Sequence, residues 1–108
     1  MKMTERFIAV DDLERLMEDD KTVTLIDART AEEFGAGHVP GAINVTIEEL
    51  TEFARSLGST SNGLVVTMCG SAGRGEKAAA ILDSCGVEKV MVLKGGLRAW
   101  KDADLPVA

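Results

Sequence analysis

A chain of 108 residues is long enough to bury one hydrophobic core and too short for two, so we expect a single domain over residues 1–108. The composition is 45% hydrophobic, and no apolar run approaches the roughly 18 residues of a membrane span, so we expect a soluble globular protein without a membrane partner. The formal net charge of −6 argues against a nucleic-acid partner and means that any anion site must be built locally.

Two strand patterns and one helix pattern open the chain. The apolar runs at residues 7–9 and 23–26 predict strands, of which the first is the weaker candidate. Residues 11–20 predict a helix, because their apolar side chains share one face at helical spacing. Asp11 and Glu14 are spaced as a capping pair for the start of this helix.

Two Thr-x-x-Glu capping boxes mark the next helices. Residues 30–34 predict a short helix and residues 46–57 a longer one, each opened by such a box. The boxes are Thr30 with Glu33 and Thr46 with Glu49. Between the two helices, residues 42–45 follow a Pro-Gly turn and form a further weak strand candidate.

The second half of the chain repeats this alternation. Residues 64–68 and 90–93 are near-continuous apolar runs, typical of strands buried on both faces of a parallel sheet. A helix is predicted from Arg74 to Gly86, with four apolar side chains at i, i+3, i+4 and i+7, namely Ala78, Ile81, Leu82 and Cys85. The whole pattern predicts one alternating α/β domain with up to five strands.

The cysteines are expected to be thiols in a cytoplasmic protein, because residues 1–6 contain no apolar signal region. His38 is the only histidine and no C-x-x-C pair exists, so we expect no metal centre and no cofactor. Cys85 lies on the apolar stripe of its helix, which predicts core packing. Helical rise also places it about 15 Å from the loop that holds the other cysteine, beyond disulfide reach.

That other cysteine, Cys69, stands between a strand and a helix, at the carboxyl edge of the predicted sheet where α/β proteins bind ligands. The connecting segment is rich in small residues and reads Cys69, Gly70, Ser71, Ala72, Gly73, Arg74 and Gly75. Its backbone N–H groups and the helix N-terminus predict a cradle that stabilises a thiolate, which makes Cys69 a nucleophile near neutral pH. The alternative is a buried, unreactive cysteine.

Three separated motifs resemble the single-domain rhodaneses over nearly the whole chain. The first is L-I-D-A-R-T-A-E-E-F at residues 25–34 with G-H-V-P-G-A-I-N at residues 37–44; the second is the loop at residues 69–74; the third is L-K-G-G-L-R-A-W at residues 93–100. The resemblance implies a five-stranded parallel sheet flanked by helices on both faces.

The resemblance also implies a sulfurtransferase. Cys69 would accept sulfane sulfur from thiosulfate or a persulfide and pass it to a thiol or cyanide, with residues 70–75 binding the substrate. The expected partners are therefore a small sulfur donor and a thiol acceptor, with a protein persulfide as a further candidate, and the protein is expected to be a monomer. Because Arg74 is the only cation of the loop, a protein or small-thiol persulfide is favoured over free thiosulfate as donor.

Two alternative functions and two roles of Arg74 remain open. The related phosphatases and arsenate reductases carry one more residue between cysteine and arginine than the C-x4-R loop here, which disfavours those activities. A non-catalytic module that binds a partner protein is a second alternative, since fold alone does not guarantee function. Arg74 itself has two interpretations, contact with substrate and an ion pair with a nearby carboxylate.

The remaining polar residues of the motifs are assigned to the scaffold. Turn hydrogen bonds and ion pairs around the second strand are expected for Asp27, Arg29, Glu33 and His38. Packing and backbone freedom are expected for Trp100 and for the Gly95-Gly96 turn.

Overall fold

The strands of the protein all run parallel, in the order β1-β5-β4-β2-β3. The structure is a computed structural model that describes residues 7–19, 23–57, 63–68 and 74–108. The strands in these residues are β1 Phe7–Ile8, β2 Thr24–Asp27, β3 Ile43–Asn44, β4 Val65–Met68 and β5 Val90–Leu93. The helices are α1 Val10–Asp19, α2 Ala31–Ala36, α3 Leu50–Leu57, α4 Arg74–Ser84 and α5 Gly96–Asp102, with a 3₁₀ helix Ile47–Glu49 before α3.

The strand order creates a switch point between β2 and β4. From β2 the chain moves outward to the edge strand β3, whereas from β4 it moves in the opposite direction to β5. Connections that leave neighbouring parallel strands in opposite directions open a crevice at the carboxyl ends of those strands, where α/β folds bind ligands. Strand β4, which borders this crevice, ends at Met68, the residue before the predicted nucleophile Cys69 in the sequence.

Two apolar clusters cover the two faces of the sheet, which confirms the prediction of helices on both sides. Successive strand residues alternate between them: Leu25 and Val66 belong to one cluster, Ile26 and Val65 to the other. The first cluster packs against α1 and α5, the second against α3 and α4. This arrangement explains why the strands β4 and β5 carry apolar residues on both faces, with Thr67 as the exception, rather than at alternate positions.

None of the helices in the described part of the chain is both long and apolar enough to cross a membrane.

Two details of the helices differ from the predictions. Helix α1 begins at Val10, so Asp11 lies in its first turn and does not cap it. Helix α5 was not predicted, because it is preceded by Gly95 in the left-handed region at φ +79° and has no side-chain cap.

The prediction that Cys85 packs in the core is wrong. Cys85 is exposed and lies one residue beyond the end of α4. A helix of 11 residues is about 16 Å long, whereas strands of four residues such as β4 and β5 span about 13 Å. The last turn of α4 therefore extends past the sheet, and Gly86 at φ +91° turns the chain away directly afterwards.

Candidate functional site

The candidate site lies where β2 and β4 end side by side. The Ala28 N–H, just after β2, donates to the carbonyl of Met68, the last residue of β4, at 3.0 Å. Residues 69–73 lie outside the described part of the chain, so the predicted nucleophile Cys69 and the predicted binding residues at positions 70–73 stay predictions. Arg74 and Gly75 are described, and they form the start of α4.

The two ends of the cysteine loop are held close together. A Cβ atom on Gly75 would lie 3.4 Å from the Cα of Met68 and 3.3 Å from a methyl group of Val92, so α4 approaches the strands closely at this glycine. The buried hydroxyl of Thr67 also donates to the carbonyl of Gly75 at 2.6 Å. The end of β4 and the start of α4, on either side of the five residues between Met68 and Arg74, are therefore packed against each other.

Arg74 forms an ion pair across the crevice. Its guanidinium donates to both carboxylate oxygens of Glu33, at 2.7 and 3.1 Å. Both side chains are about two-fifths exposed, at 37% for Arg74 and 41% for Glu33. Of the two interpretations of Arg74, the ion pair with a carboxylate is therefore confirmed.

Glu33 has a second set of donors in the capping box of α2. The backbone N–H and the hydroxyl of Thr30 donate to its carboxylate at 3.0 and 3.1 Å. The hydrogen bond from Arg74 and then that from the Thr30 backbone lower the pKa of Glu33 from 4.5 to about 2. Glu33 is thus ionised at neutral pH and links the start of α2 to the start of α4.

A small cavity of about 100 Å³ opens beside this ion pair. Its walls carry two arginines, two threonine side chains and one glutamate, and the lining consists of Ala28, Arg29, Thr30, Thr46, Ile47, Glu48 and Arg74. Since one water molecule occupies about 30 Å³ of liquid, the cavity holds a ligand of only a few non-hydrogen atoms. Arg74 therefore both pairs with Glu33 and borders this cavity.

Asp27 and Arg29 form a buried ion pair below the cavity. The side chains are 0% and 6% exposed, and the guanidinium contacts both carboxylate oxygens at 2.8 to 3.1 Å. Arg29 also donates to the carbonyl of Gly37 at 2.6 Å, and the Asn44 amide donates to the carbonyls of Asp27 and Arg29. These bonds join β2, β3 and the end of α2, which agrees with the scaffold role predicted for both residues.

His38 contributes to the same scaffold. Its Nδ1 lies 2.8 Å from the carbonyl of Phe34, which can only accept a hydrogen bond, so Nδ1 is the donor. The imidazole stacks on the Phe34 ring with the centroids 3.7 Å apart. The backbone of His38 exchanges hydrogen bonds with Ala108 at 3.2 and 2.7 Å. These contacts agree with the predicted turn-stabilising role.

One residue of this region was missed by the sequence analysis. Thr67 is fully buried in the middle of β4 and anchors the start of α4 through its hydroxyl. The available signal was a lone polar residue within an otherwise apolar strand, because a buried hydroxyl requires a hydrogen-bond partner. Within the described ranges no group of three His, Cys, Asp or Glu side chains is arranged to hold a metal ion.

Comparisons with known proteins agree with this geometry. A family model described as a rhodanese-like domain matches residues 9–103. The chain is 34% identical over 80 residues to the thiosulfate sulfurtransferase GlpE of Tolumonas auensis, covering 74% of each chain. It superposes on the crystal structure of the Alr3790 protein from Anabaena with a TM-score of 0.86 and 28% identity, covering 94% of this chain and 80% of that one.

A longer relative is the putative sulfur carrier protein YrkF of Bacillus subtilis, which is 27% identical over 93 residues. The match covers 86% of this chain and 49% of YrkF. The chain therefore spans about half the length of this curated relative.

Proposed function

Since the chain belongs to the family of rhodanese-like domains, we propose that it is a sulfurtransferase that carries sulfane sulfur as a persulfide on Cys69. The observation that carries the proposal is the close packing of the start of α4 against the end of β4, at Gly75 and Met68, on either side of the segment that contains Cys69. The relatives named thiosulfate sulfurtransferase, such as GlpE, support the same class of reaction.

The start of α4 suits an anionic sulfur species. This helix of 11 residues begins five residues after Cys69, and its N-terminus supplies backbone N–H groups and the positive end of the helix dipole. With Cys69 held at this end of the helix, these groups would stabilise its thiolate and the terminal sulfur of its persulfide. The hydrogen bond from Thr67 to Gly75 holds the first turn of that helix against β4.

The reaction needs no outside oxidant or reductant. The Cys69 thiolate attacks the outer sulfur of the donor and forms a new S–S bond, while the bond from that sulfur to the rest of the donor breaks. The donor leaves as sulfite if it was thiosulfate, or as a thiolate if it was a persulfide. An acceptor thiolate then attacks the terminal sulfur and releases the Cys69 thiolate unchanged.

The charges around the cavity favour a persulfide over thiosulfate as donor. The guanidinium of Arg74 is already paired with the carboxylate of Glu33, and Glu48 places a further carboxylate, the one on the cavity wall, nearby. A dianion such as thiosulfate would therefore meet a largely neutralised cation. A persulfide of a small thiol or of a protein carries less charge at its reacting end.

The test is intact mass measurement after incubation with glutathione persulfide or with thiosulfate. Wild-type protein and Cys85→Ser should each gain the mass of one sulfur atom, and Cys69→Ser should gain none. Loading by the persulfide is expected at lower donor concentration than loading by thiosulfate. No gain on wild-type protein, or an equal gain on Cys69→Ser, would contradict the proposal and favour a non-catalytic binding module.

A further inference from the structure

A second, larger depression lies next to the sulfur site, between the edge strand β3 and helix α3. It is an open groove of about 570 Å³. Ile43, Val45 and Phe53 supply its apolar part, and Glu48, Glu49 and Glu52 supply carboxylates. We call this surface the acidic groove. Neither the scaffold nor the chemistry at Cys69 requires it.

The apolar part of the acidic groove is open to solvent. Ile43 is 45% exposed and is one of two large hydrophobic side chains exposed to this degree in the described residues, the other being Val107. It lies on β3, which is at the edge of the sheet, and Phe53 beside it is only partly buried. An aliphatic and an aromatic side chain side by side in an open groove are typical of a surface that a partner covers.

The charge of the acidic groove is negative. Its three glutamates are exposed, and none of the residues that line it is a lysine or an arginine. Arg55 lies 3.8 Å from Glu52, but both side chains are more than 70% exposed, so this pair neutralises little. Glu49 stays ionised because the backbone N–H and the hydroxyl of Thr46 both donate to it at 3.0 Å.

The acidic groove is continuous with the candidate sulfur site. Glu48 lines both the groove and the small cavity that Arg74 and Ala28 border. Ala28 is hydrogen-bonded to Met68, the residue that immediately precedes Cys69. A chain segment seated in the groove would therefore reach the carboxyl end of β4, at the residue that precedes the predicted nucleophile in the sequence.

We propose that the acidic groove docks a protein that exchanges sulfur with Cys69, through a segment in which basic and apolar side chains flank the reacting cysteine. This inference rests on the proposed function and deepens it by naming the class of partner. The positive charge of the segment complements the three glutamates, and its apolar side chains cover Ile43 and Phe53. A second copy of this chain fits poorly, because its own net charge is −6.

The first experiment measures sulfur transfer from loaded wild-type protein to model acceptors. The cationic acceptor is the blocked peptide Lys-Leu-Cys-Lys-Leu-Lys, its acidic counterpart carries Glu in place of each Lys, and dithiothreitol is the small neutral acceptor. The cationic peptide should react with a kcat/KM at least about fivefold above that of the acidic peptide, because exposed opposite charges attract and like charges repel. Added salt should reduce this difference.

Three variants test whether the acidic groove causes the preference for the cationic peptide. Glu52→Lys should lower the kcat/KM for the cationic peptide about fivefold, because an exposed attraction becomes a repulsion. Ile43→Ser should lower it through the lost apolar contact. The matched control is Glu18→Lys on α1, which changes the net charge equally at an exposed position on the opposite face of the sheet. Glu18→Lys should keep most of the preference for the cationic peptide. All three variants should transfer sulfur to dithiothreitol at the wild-type rate.

A binding measurement separates failure of the groove from failure of the proposed function. The same peptides with Ser in place of Cys, labelled with a fluorophore, report binding by anisotropy without any sulfur chemistry. Equal binding of the cationic and acidic peptides, or equal loss in Glu18→Lys and Glu52→Lys, would overturn the docking proposal. So would a dimer in sedimentation that Ile43→Ser abolishes, since the occupant would then be a second copy. Failure of Cys69 to load sulfur, with the binding preference intact, would overturn the proposed function and the sulfur exchange, and would leave the groove as a docking surface for cationic segments.

Discussion

The guanidinium of Arg74 donates to both carboxylate oxygens of Glu33, at 2.7 and 3.1 Å, across 41 positions of sequence. Arg74 is the first residue of α4 and Glu33 belongs to the first turn of α2, so the pair spans the crevice between the ends of β2 and β4. Through this contact the helix that follows the cysteine loop is attached to the helix that follows the neighbouring strand.

Glu33→Gln should make the stability of the protein less dependent on pH in the acid range. The pKa of Glu33 is lowered from 4.5 to about 2 in the folded protein, so its contribution to the free energy of unfolding is present above about pH 4.5 and is lost as the pH falls toward 2. In urea unfolding at a series of pH values, the difference between wild type and Glu33→Gln should therefore be largest near neutral pH and should shrink below pH 4.5.

The matched control for this prediction is Glu32→Gln, an exposed glutamate in the same turn of α2. It should follow the wild-type pH dependence closely. A difference between wild type and Glu33→Gln that is as large at pH 2.5 as at pH 7 would show that the ion pair with Arg74 does not stabilise the carboxylate.

Asp27→Asn should destabilise the protein by about 3–5 kcal/mol, because it leaves the buried guanidinium of Arg29 without its charged partner. Asp27 is 0% exposed and Arg29 is 6% exposed, so water cannot replace the lost carboxylate. The measurement is chemical unfolding at neutral pH. The exposed pair of Asp12 with Arg15 supplies the comparison: Asp12→Asn should change stability by less than about 1 kcal/mol. Similar losses in the two variants would contradict the assignment of Asp27 to the buried scaffold.

Two glycine substitutions should have opposite effects. Gly95 has φ +79°, and a Cβ atom there would lie 2.7 Å from the Cβ of Ala99, so Gly95→Ala should destabilise the protein by about 1–3 kcal/mol. Gly35 lies inside α2, and a Cβ atom there would meet nothing within 4 Å. Gly35→Ala should therefore stabilise the protein, by about 0.5–1 kcal/mol, through the higher helix propensity of alanine. Thermal unfolding shows whether each variant is less or more stable than wild type. Destabilisation by Gly35→Ala would contradict the open space around Gly35.

Cys85 should react with a thiol reagent in the native protein, because it is exposed. In Cys69→Ser, Ellman's reagent should therefore still titrate one thiol without denaturant. Cys85→Ser should leave stability within about 0.5 kcal/mol of wild type, as expected for a surface substitution. If native Cys69→Ser shows no reactive thiol until it is unfolded, then Cys85 is buried and the core packing predicted from its helical position is correct.

Much of the secondary structure follows from local features of the sequence. The two Thr-x-x-Glu boxes open helices where they were predicted, at Thr30 and at Thr46, since each box is completed by hydrogen bonds between residues three positions apart. Helix α5 escaped prediction because Gly95 in the left-handed region precedes it in place of a capping side chain. The near-continuous apolar runs of β4 and β5 indicated burial on both faces, and the two clusters confirm it.

The candidate site was only partly accessible to sequence reasoning. The motif around Cys69 indicated the family, which the match over residues 9–103 shows, while the role of Cys69 itself stays a prediction. The capping role of Glu33 is local in sequence, but its ion pair with Arg74 depends on β2 lying next to β4. No spacing of residues 41 positions apart could indicate that contact.

By itself, then, the sequence determined which segments become strands and most of those that become helices, where the capping boxes lie and which family the chain resembles. These features depend on hydrogen bonds and side-chain periodicity over a few residues. Only the tertiary structure decided that Arg74 meets Glu33, that Cys85 is exposed and that Ile43 forms a groove with three glutamates. Each of these depends on the order of the strands and on the lengths of the elements that pack together, and both arise from contacts between distant parts of the chain.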